Sequence, residues 1–402
     1  MSAQATPAEI VFINRVYQPD LAATSRLLSD LVTALACERG FRLRVICART
    51  AGESAAIAGV SVHRVPVARI ARLGVLGRLL ADAAFLLYVG CYLLLSRQRP
   101  GLIVAKTDPP MLQVIVGTTC RLRGRRYICW HQDLYPEVAE RLGFLSATSP
   151  LARLLRRWRD WAVAGAWQNV VIGEAMRDYL GRAGRTRLIS NWALNDERPE
   201  AAAEEVAHFR ALAGAGLRDT GAMVLGHCGN LGRAHPVEPL LGLAAHYGES
   251  GPRVLITGGG VHYMRLRRFV AGNRHWSFLP FQPEERLPAL LAAVDVHLVV
   301  LDPTLGAMIV PSKYIAVLAA GRPSIFIGDP EDRLARRIVA AGAGFAVAAD
   351  DAPELIRVVE SLRDPARRAD VGAAARRLYE TQFSRRVAHA AWSDTLREGL
   401  AA

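Results

Sequence analysis

Lysine is almost missing from this sequence. Lysine and arginine together number 50 in 402 residues, and only Lys106 and Lys313 are lysine. Where arginine is so strongly preferred, a position that keeps lysine can be one that needs a compact point charge and not a planar fork. The alternative is a plain codon bias toward arginine, so this scarcity counts only beside other observations.

Several other patterns are absent. The six cysteines form no C-x-x-C pair and have no regular spacing, which disfavours a disulfide framework or a structural zinc site and fits a reducing cytosol. The N-terminal segment lacks the basic and apolar regions of a signal peptide. The apolar run Leu79–Leu95 is broken by Asp82, and its uncharged part is shorter than the ~20 residues that span a bilayer.

The composition is that of a globular protein, with 51% hydrophobic and 22% charged residues. The length predicts two or three domains. Positive charge is concentrated in one half, since residues 1–200 carry 27 basic and 16 acidic side chains, whereas residues 201–402 carry 23 and 21. The excess therefore describes a surface of the first half.

Short apolar runs alternate with helix-length segments along the chain, which predicts parallel sheets built by right-handed crossovers. The predicted strands are Ile10–Asn14, Leu43–Cys47, Val60–Val65, Leu102–Ala105, Arg126–Trp130, Asn169–Ile172, Arg187–Ile189, Met223–His227, Arg253–Thr257, Trp276–Phe278, Val296–Leu301, Ser324–Ile327 and Gly344–Val347. The pattern restarts near Met223, after a polar stretch without a strand.

We therefore predict an α/β protein with two Rossmann-like, doubly wound parallel-sheet domains that face a central cleft. The first covers residues 1–195 and the second residues 220–383. Residues 196–219 would be a linker with a surface helix. A last helix, at 384–402, could return to the N-terminal domain.

Two segments of the first half lie where predicted strands end. The loop after the first strand contains Asp20, Ala23 and Thr24 and leads into a helix, whose free N–H groups suit a phosphate or a sugar. A simple turn with a helix cap is the alternative. His131 and Asp133 follow a later strand, where either side chain could orient or deprotonate a hydroxyl, or be structural.

Three segments of the second half are also candidates. Gly229 and Gly232 would let the backbone approach a ligand closely, and Arg233 could neutralise a diphosphate. Gly259 lies in a run of three glycines that could admit a nucleotide or merely form a tight turn. Neither run is the dinucleotide-binding G-x-G-x-x-G.

The third and strongest of these segments surrounds Lys313. Pro311 is placed to open a helix, so Ser312 and Lys313 fall in its first turn, where a cation opposes the helix dipole. An anion bound between Lys313 and the helix N-terminus would remove that conflict. A lysine exposed to solvent is the alternative.

Taken in order, these segments resemble retaining nucleotide-sugar glycosyltransferases of family four, which have the GT-B fold. The branch near colanic-acid and O-antigen pathway enzymes is the most similar. The resembling motifs span nearly the whole chain and are Tyr17–Thr24, Asp133-Leu-Tyr-Pro-Glu137, Ser190-Asn-Trp192, Gly229-Asn-Leu-Gly232, Pro311-Ser-Lys313 and Ala319-Ala-Gly-Arg-Pro323.

The resemblance implies a role for each site residue. The residues that would hold the donor diphosphate are Gly229, Asn230, Gly232, Arg233, Ser312 and Lys313. Phe281 would lie beside the nucleobase, and Asp133 or His131 would contact the transferred sugar or the acceptor. This chain has Met308 and Ala316 where the family commonly has two glutamates, the second of which usually binds the ribose. No metal is expected, because the sequence lacks the D-x-D motif that holds a cation in metal-dependent transferases.

One segment resembles a membrane-surface helix. The apolar residues Leu151, Leu154, Leu155, Trp158 and Trp161 fall on one helical face, and Arg153, Arg156, Arg157 and Arg159 occupy much of the rest. Tryptophan beside arginine predicts a helix in the lipid interface. The alternative is a core-packed apolar face with solvated arginines. The Leu79–Leu95 run is either a buried crossover helix or a second interfacial helix.

Together these features imply a cytoplasmic glycosyltransferase that is peripheral on the inner face of the plasma membrane. It would move a sugar from a nucleoside diphosphate, with UDP expected, to a lipid-linked (polyprenyl-diphosphate) saccharide in exopolysaccharide or O-antigen synthesis. A nucleotide-sugar 2-epimerase and a non-catalytic scaffold are alternatives on the same fold. A nucleic-acid-binding protein would fit the sequence pI of about 10.0, but the chain has no motif for reading nucleic acid.

Overall fold

The protein forms two compact units. The computed structural model describes residues 8–20, 22–49, 56–67, 74–181, 183–194, 203–214, 222–306, 308 and 312–402. The first unit comprises Met1–Ser190, Met308–Val310 and Ala388–Ala402, and the second comprises Asn191–Ala307 and Pro311–Val387.

Each unit contains one parallel sheet, and all thirteen predicted strands are present. The first sheet has the order β3-β2-β1-β4-β5-β6-β7, and the second has the order β10-β9-β8-β11-β12-β13. The strands are β1 Ala8–Ile13, β2 Phe41–Ala48, β3 Val60–Val65, β4 Leu102–Ala105, β5 Tyr127–His131, β6 Gln168–Val171, β7 Thr186–Leu188, β8 Val224–Asn230, β9 Arg253–Gly259, β10 Trp276–Leu279, β11 Val296–Val300, β12 Ser324–Gly328 and β13 Phe345–Ala348. The predicted pair of parallel α/β domains is confirmed.

Helices connect the strands in both units. They are α1 Ala23–Ala36, α2 Gly74–Leu95, α3 Leu112–Leu122, α4 Glu137–Arg141, α5 Pro150–Ala164, α6 Glu174–Leu180, α7 Ala203–Leu212, α8 Glu238–Tyr247, α9 Val261–Phe269, α10 Leu287–Ala293, α11 Ser312–Ala319, α12 Arg333–Ala340, α13 Ala352–Ser361, α14 Pro365–Leu378 and α15 Arg385–Ala401. Central strands such as β4 and β5 are buried along their whole length, as expected when both faces of a parallel sheet are covered.

The last helix, α15, packs in the first unit. The Trp392 ring, which is fully buried, lies 4.5 Å from the Trp130 ring at the end of β5. His389 lies 2.9 Å from the Asp30 carboxylate. Together with the Arg187–Glu398 ion pair at 3.0 Å, these contacts attach the end of the chain to the sheet of the first unit.

The segment predicted as a linker contains helix α7. Its Phe209 is fully buried in an apolar cluster with Leu290 and Val294, and Arg210 donates hydrogen bonds to Asp295 at 3.1 and 3.2 Å. This part of the predicted linker is therefore packed into the second unit.

Helix α2 is divided lengthwise into a core face and an exposed apolar face. Ala81, Phe85, Val89 and Leu93 are buried at intervals of one helical turn, whereas Leu87 on the other side is 70% exposed. The segment Gly77–Leu95 is long and apolar enough to cross a membrane, a test that core helices also pass. Because Asp82 forms an ion pair with Arg15 at 3.1 Å, the helix is also held by charge to the first unit.

The apolar face of helix α5 is not packed in the core, which was the alternative expected from the sequence. Ser149 caps it by accepting a hydrogen bond from the Ala152 N–H at 3.1 Å. The predicted apolar face points outward, with Leu151 55%, Leu154 61%, Trp158 37% and Trp161 41% exposed.

Arg159, one of the arginines predicted to occupy the rest of this helix, is not solvated as the core-packing alternative would have it, because it is 5% exposed. Arg159 forms two hydrogen bonds to Glu137, at 2.6 and 3.0 Å, and Tyr179 donates a third to the same carboxylate at 2.7 Å. The guanidinium holds the pKa of Glu137 below its ordinary value although burial opposes this. The glutamate that ends the Asp133–Glu137 motif is therefore structural, because it fixes α5.

We expect Arg159→Met to destabilise the first unit by about 3–5 kcal/mol, because it leaves the buried Glu137 carboxylate without its cation. Arg157→Met is the matched control, since Arg157 is exposed on the same helix, and it should change stability by less than about 0.5 kcal/mol. Urea unfolding of both variants measures the difference. Equal stabilities would contradict the structural role of the ion pair.

Candidate active site

At the carboxyl end of the second sheet, the ends of strands β8 and β9 approach each other closely. β8 and β9 pair in register up to Asn230 and Gly259. A Cβ atom on Gly258 would lie 2.1 Å from the Gly229 carbonyl oxygen, and Gly258 and Gly229 have φ values of 130° and 125°. Both the spacing and the backbone conformation therefore require glycine. The close approach at Gly229 is between two strand ends, and its predicted approach to a ligand stays a prediction.

Lys313 lies in the first turn of α11 and crosses over the end of β8. Its Nζ donates hydrogen bonds to the Asn230 carbonyl at 2.6 Å and to His227 Nε2 at 3.0 Å. A Cβ on Gly229 would lie 2.9 Å from Lys313 Cε, so the missing side chain makes room for the lysine. Burial lowers the pKa of Lys313 to about 8. Lys313 is therefore half-buried and held by two hydrogen bonds. The alternative of a lysine side chain exposed to solvent is wrong.

Two histidines, His227 and His235, flank Lys313. His227 is fully buried, its Nδ1 lies 2.9 Å from the Leu298 carbonyl, and its ring centroid is 6.4 Å from that of His235. Burial, and then the nearby Lys313 charge, lower the pKa of both rings, that of His235 to about 4. Neither residue belongs to a motif from which a role could be predicted.

The other predicted donor residues lie at or after the ends of β8, β9 and β10 and at the start of α11. Arg233 is exposed on the loop after β8, and Gly232 packs against Asn230 so closely that a Cβ would lie 2.7 Å from the Asn230 amide nitrogen. At the end of β9, a Cβ on Gly259 would lie 3.1 Å from the Phe281 ring, which is 64% exposed. The backbone of Ser312 begins α11, and its side chain lies outside the described part of the structure.

The carboxyl end of the first sheet carries a separate group of charged residues. Asp133 follows β5, and burial together with the nearby Asp108 carboxylate raises its pKa to about 6. Asp108 follows β4 and forms an ion pair with Arg15 at 2.9 Å. The Asp133 carboxyl group therefore keeps its proton to a higher pH than an ordinary aspartate does, which suits a group that exchanges a proton with a hydroxyl.

His131 has surroundings of another kind. Its ring is 1% exposed, and Nε2 lies 3.2 Å from the side-chain oxygen of Asn169 on β6. Burial lowers its pKa to about 4. The His131 ring is buried and hydrogen-bonded to Asn169. This geometry favours Asp133 over His131 as the side chain that contacts a substrate.

The predicted loop after β1 leads into α1 through a small set of hydrogen bonds. The Asp20 carboxylate accepts a hydrogen bond from the Ala22 N–H at 2.8 Å. Ala23 is the exposed first residue of α1, and the Thr24 carbonyl accepts a hydrogen bond from Lys106 Nζ at 2.9 Å.

Lys106 lies at the carboxyl end of β4, in a position that no motif predicted. It is 1% exposed, and its Nζ lies 3.7 Å from the centre of the Trp130 ring, which is a cation–π arrangement. Burial lowers its pKa well below the ordinary value. The scarcity of lysine was the available signal, because both lysines occupy buried or half-buried positions at the carboxyl ends of the two sheets.

Met308 takes the place of a glutamate that the resembling family commonly has. It is 7% exposed in an apolar cluster with Leu134, Val138 and Met176, and its carbonyl accepts a hydrogen bond from the Leu134 N–H at 3.3 Å. Ala316, at the second such position, is half-buried on α11. Neither side chain can bind a hydroxyl, so the departure seen in the sequence holds in the structure.

Several known proteins are similar to this chain in sequence. No protein-family model matches the chain. It is 26% identical over 334 residues to the probable glycosyltransferase WbjE of Pseudomonas aeruginosa, covering 80% of this chain and 81% of the relative. It is also 34% identical over 197 residues to the UDP-N-acetylglucosamine--N-acetylmuramyl-(pentapeptide) pyrophosphoryl-undecaprenol N-acetylglucosamine transferase of Mycobacterium tuberculosis. That match spans 47% of this chain and less than half, 44%, of the relative.

The solved structures decide the fold. Sucrose-phosphate synthase of Thermosynechococcus elongatus superimposes with a TM-score of 0.76 at 17% identity, covering 98% of this chain and 99% of the other. HepE of Anabaena, in complex with UDP-glucose, gives 0.69 at 17% identity, covering 97% and 100%. This chain has the GT-B fold.

The GT-B fold and the sequence relatives together support a glycosyltransferase of GT-B type. The retaining family four and the branch near colanic-acid enzymes stay predictions. On this fold, the cluster around Lys313 occupies the carboxyl edge of a parallel sheet, where α/β proteins bind ligands.

The Lys313 pKa predicts how diphosphate binding depends on pH. The lysine loses its proton as the pH rises through about 8, so the affinity for inorganic pyrophosphate, relative to that of Lys313→Arg, should fall about tenfold between pH 7 and pH 9. The arginine variant stays charged and corrects for the titration of pyrophosphate itself. Calorimetry measures both affinities, and a constant ratio would show that Lys313 does not bind the anion.

Proposed function

We propose that this chain transfers a sugar from a nucleoside-diphosphate sugar, with UDP as the nucleotide, to a polyprenyl-diphosphate-linked saccharide during exopolysaccharide or O-antigen assembly. The reaction would retain the anomeric configuration and would need no metal. The observation that carries the proposal is Lys313, a cation in the first turn of α11 that is fixed beside the glycines at the end of β8.

The donor half of the proposal follows from charge. A departing nucleoside diphosphate gains negative charge, and fixed donors aimed at that charge lower the barrier. Lys313, the N–H groups at the start of α11 and the exposed Arg233 would supply these donors. The exposed Phe281 ring beside Gly259 offers an apolar face for the base. The complex of HepE with UDP-glucose supports UDP as the nucleotide.

The proposed sugar acceptor is supported by residues of the first unit and by the mycobacterial sequence relative. Asp133, with its pKa near 6, would bind or deprotonate a hydroxyl of the transferred sugar or the acceptor. The mycobacterial relative is named for a pyrophosphoryl-undecaprenol acceptor, which supports a lipid-linked saccharide here.

A nucleotide-sugar 2-epimerase would need acid and base groups around the donor. The two positions where carboxylates would be expected carry Met308, enclosed in apolar side chains, and Ala316. The structure therefore favours transfer over epimerisation. NMR of the enzyme with a nucleotide sugar and no acceptor separates the two functions. If the sugar or its epimer is released from the donor under these conditions, the result would instead support the epimerase.

The function is tested by separating donor binding from turnover. UDP-sugars should raise the melting temperature of the wild type, and Lys313→Ala should weaken their binding about tenfold to a hundredfold, because one charge-assisted bond is lost. Asp133→Asn should keep donor affinity and lower kcat by more than threefold on a polyprenyl-diphosphate saccharide. A wild type that no nucleotide sugar stabilises would contradict the proposal.

We also propose that the first unit attaches to the inner face of the plasma membrane through one helical layer. Helix α3 packs against both α2 and α5, so the three helices lie side by side. Among the side chains that the structure describes, eleven large apolar ones are exposed on these helices or just before α5, namely Leu79, Leu80, Leu87, Leu94, Leu95, Leu122, Phe144, Leu151, Leu154, Trp158 and Trp161. We call them the apolar outer face.

Charge on the same layer favours an anionic lipid surface. Arg153 and Arg157 are exposed on α5, and Arg97 and Arg99 follow α2. Arg156, also predicted to face the membrane, forms an ion pair with Glu140 and would add less. Exposed apolar side chains bordered by arginine are typical of interfacial helices, and the opposite orientation of α5, with its apolar face in the core, does not occur.

Vesicle binding tests this attachment. The wild type should co-sediment with phosphatidylglycerol vesicles at low salt and partly remain bound at high salt, since salt screens charge but does not remove apolar insertion. Trp158→Ala with Trp161→Ala should abolish the salt-resistant part. The matched control is Met264→Ala with Phe269→Ala, which removes exposed apolar side chains of the second unit and should have no effect. A wild type that ignores the vesicles at low salt would overturn the proposal.

A further inference from the structure

The hydrogen bonds of His227 fix which of its ring nitrogens carries a proton. Nδ1 lies 2.9 Å from the Leu298 carbonyl oxygen, and a carbonyl can only accept a hydrogen bond. Nδ1 therefore carries the proton, and Nε2 has a free lone pair. The ring is fully buried on β8, which lies between β9 and β11 in the sheet.

That lone pair points at the ammonium group of Lys313. The Nε2–Nζ distance is 3.0 Å, and the second bond of the same Nζ runs to the Asn230 carbonyl at 2.6 Å. An ammonium group has three N–H donors. Two of them are engaged by described residues of the protein, which leaves one for an anion within the part of the chain that the structure describes. The two protein bonds fix the direction of the third.

We propose that His227 is a positioning residue, which orients Lys313 toward the diphosphate of the donor by accepting a hydrogen bond as a neutral ring. The inference rests on the proposed function for the identity of the anion. His227 itself would not touch the substrate, because it lies beneath the lysine and is fully buried.

The groups around His227 and Lys313 favour a neutral hydrogen-bond acceptor for the lysine. Cys228 adjoins His227 on β8, and His235 lies on the loop after it. Burial raises the pKa of the Cys228 thiol to about 11, so near neutral pH this group is uncharged. A carboxylate in place of His227 would neutralise the lysine, whereas an imidazole orients it and leaves its charge to the ligand.

Two substitutions separate the two bonds of the ring. His227→Asn can keep a donor near the Nδ1 position but cannot reach Lys313, whereas His227→Gln places an amide oxygen near the Nε2 position. We expect the asparagine variant to bind UDP about tenfold more weakly and the glutamine variant to stay within about threefold of the wild type. Equal losses in both variants, accompanied by equal falls in melting temperature, would show that His227 is merely structural and overturn the proposal.

The scarcity of lysine provides a direct readout that does not depend on donor binding. Lysine labelled with ¹³C and ¹⁵N should give two sets of side-chain NMR signals, from Lys106 and Lys313, and Lys313→Arg assigns them. In the ligand-free full chain, His227→Asn should shift the Lys313 signal and increase its side-chain mobility, while the Lys106 signal stays unchanged. An unchanged Lys313 signal would overturn the positioning role even if UDP binds. If UDP fails to bind the wild type but the Lys313 signal changes, the proposed function fails and the positioning role stands.

Discussion

The second unit depends on one close approach between two backbones. Gly258 packs so tightly against the Gly229 carbonyl that no side chain fits between the ends of β8 and β9. Because this edge has no Cβ atoms at these points, Lys313 can lie across it and reach the Asn230 carbonyl. The glycines thus leave the space for a cation, and the helix that begins at Ser312 supplies that cation.

The strands could be predicted because each is a short apolar run that a parallel sheet buries on both faces. The restart near Met223 predicted two sheets for the same reason. Lys313 could also be predicted as a special position, since a lysine in the first helical turn opposes the helix dipole. Its partner could not, because His227 lies 86 positions away in the chain, and only the folded sheet brings the two together.

Helix α5 shows a different limit of sequence analysis. Its period identified the apolar face, but it grouped the buried Arg159 with the exposed arginines, because a period alone does not say which face is inward. The decision depends on Glu137 and Tyr179, which compensate the charge of Arg159 inside the unit. Lys106 is a similar case, because the Trp130 ring and the Thr24 carbonyl that stabilise it come from other segments.

The distribution of lysine has a consequence for covalent chemistry. With one lysine enclosed beside Trp130 and the other engaged at the end of β8, reagents that acylate amines have few side-chain targets in this protein. Their reaction with Lys313 would depend on whether its Nζ is deprotonated and uncovered. Among the side chains, Lys313 would therefore be the target that amine acylation modifies, and this modification would change the candidate donor site.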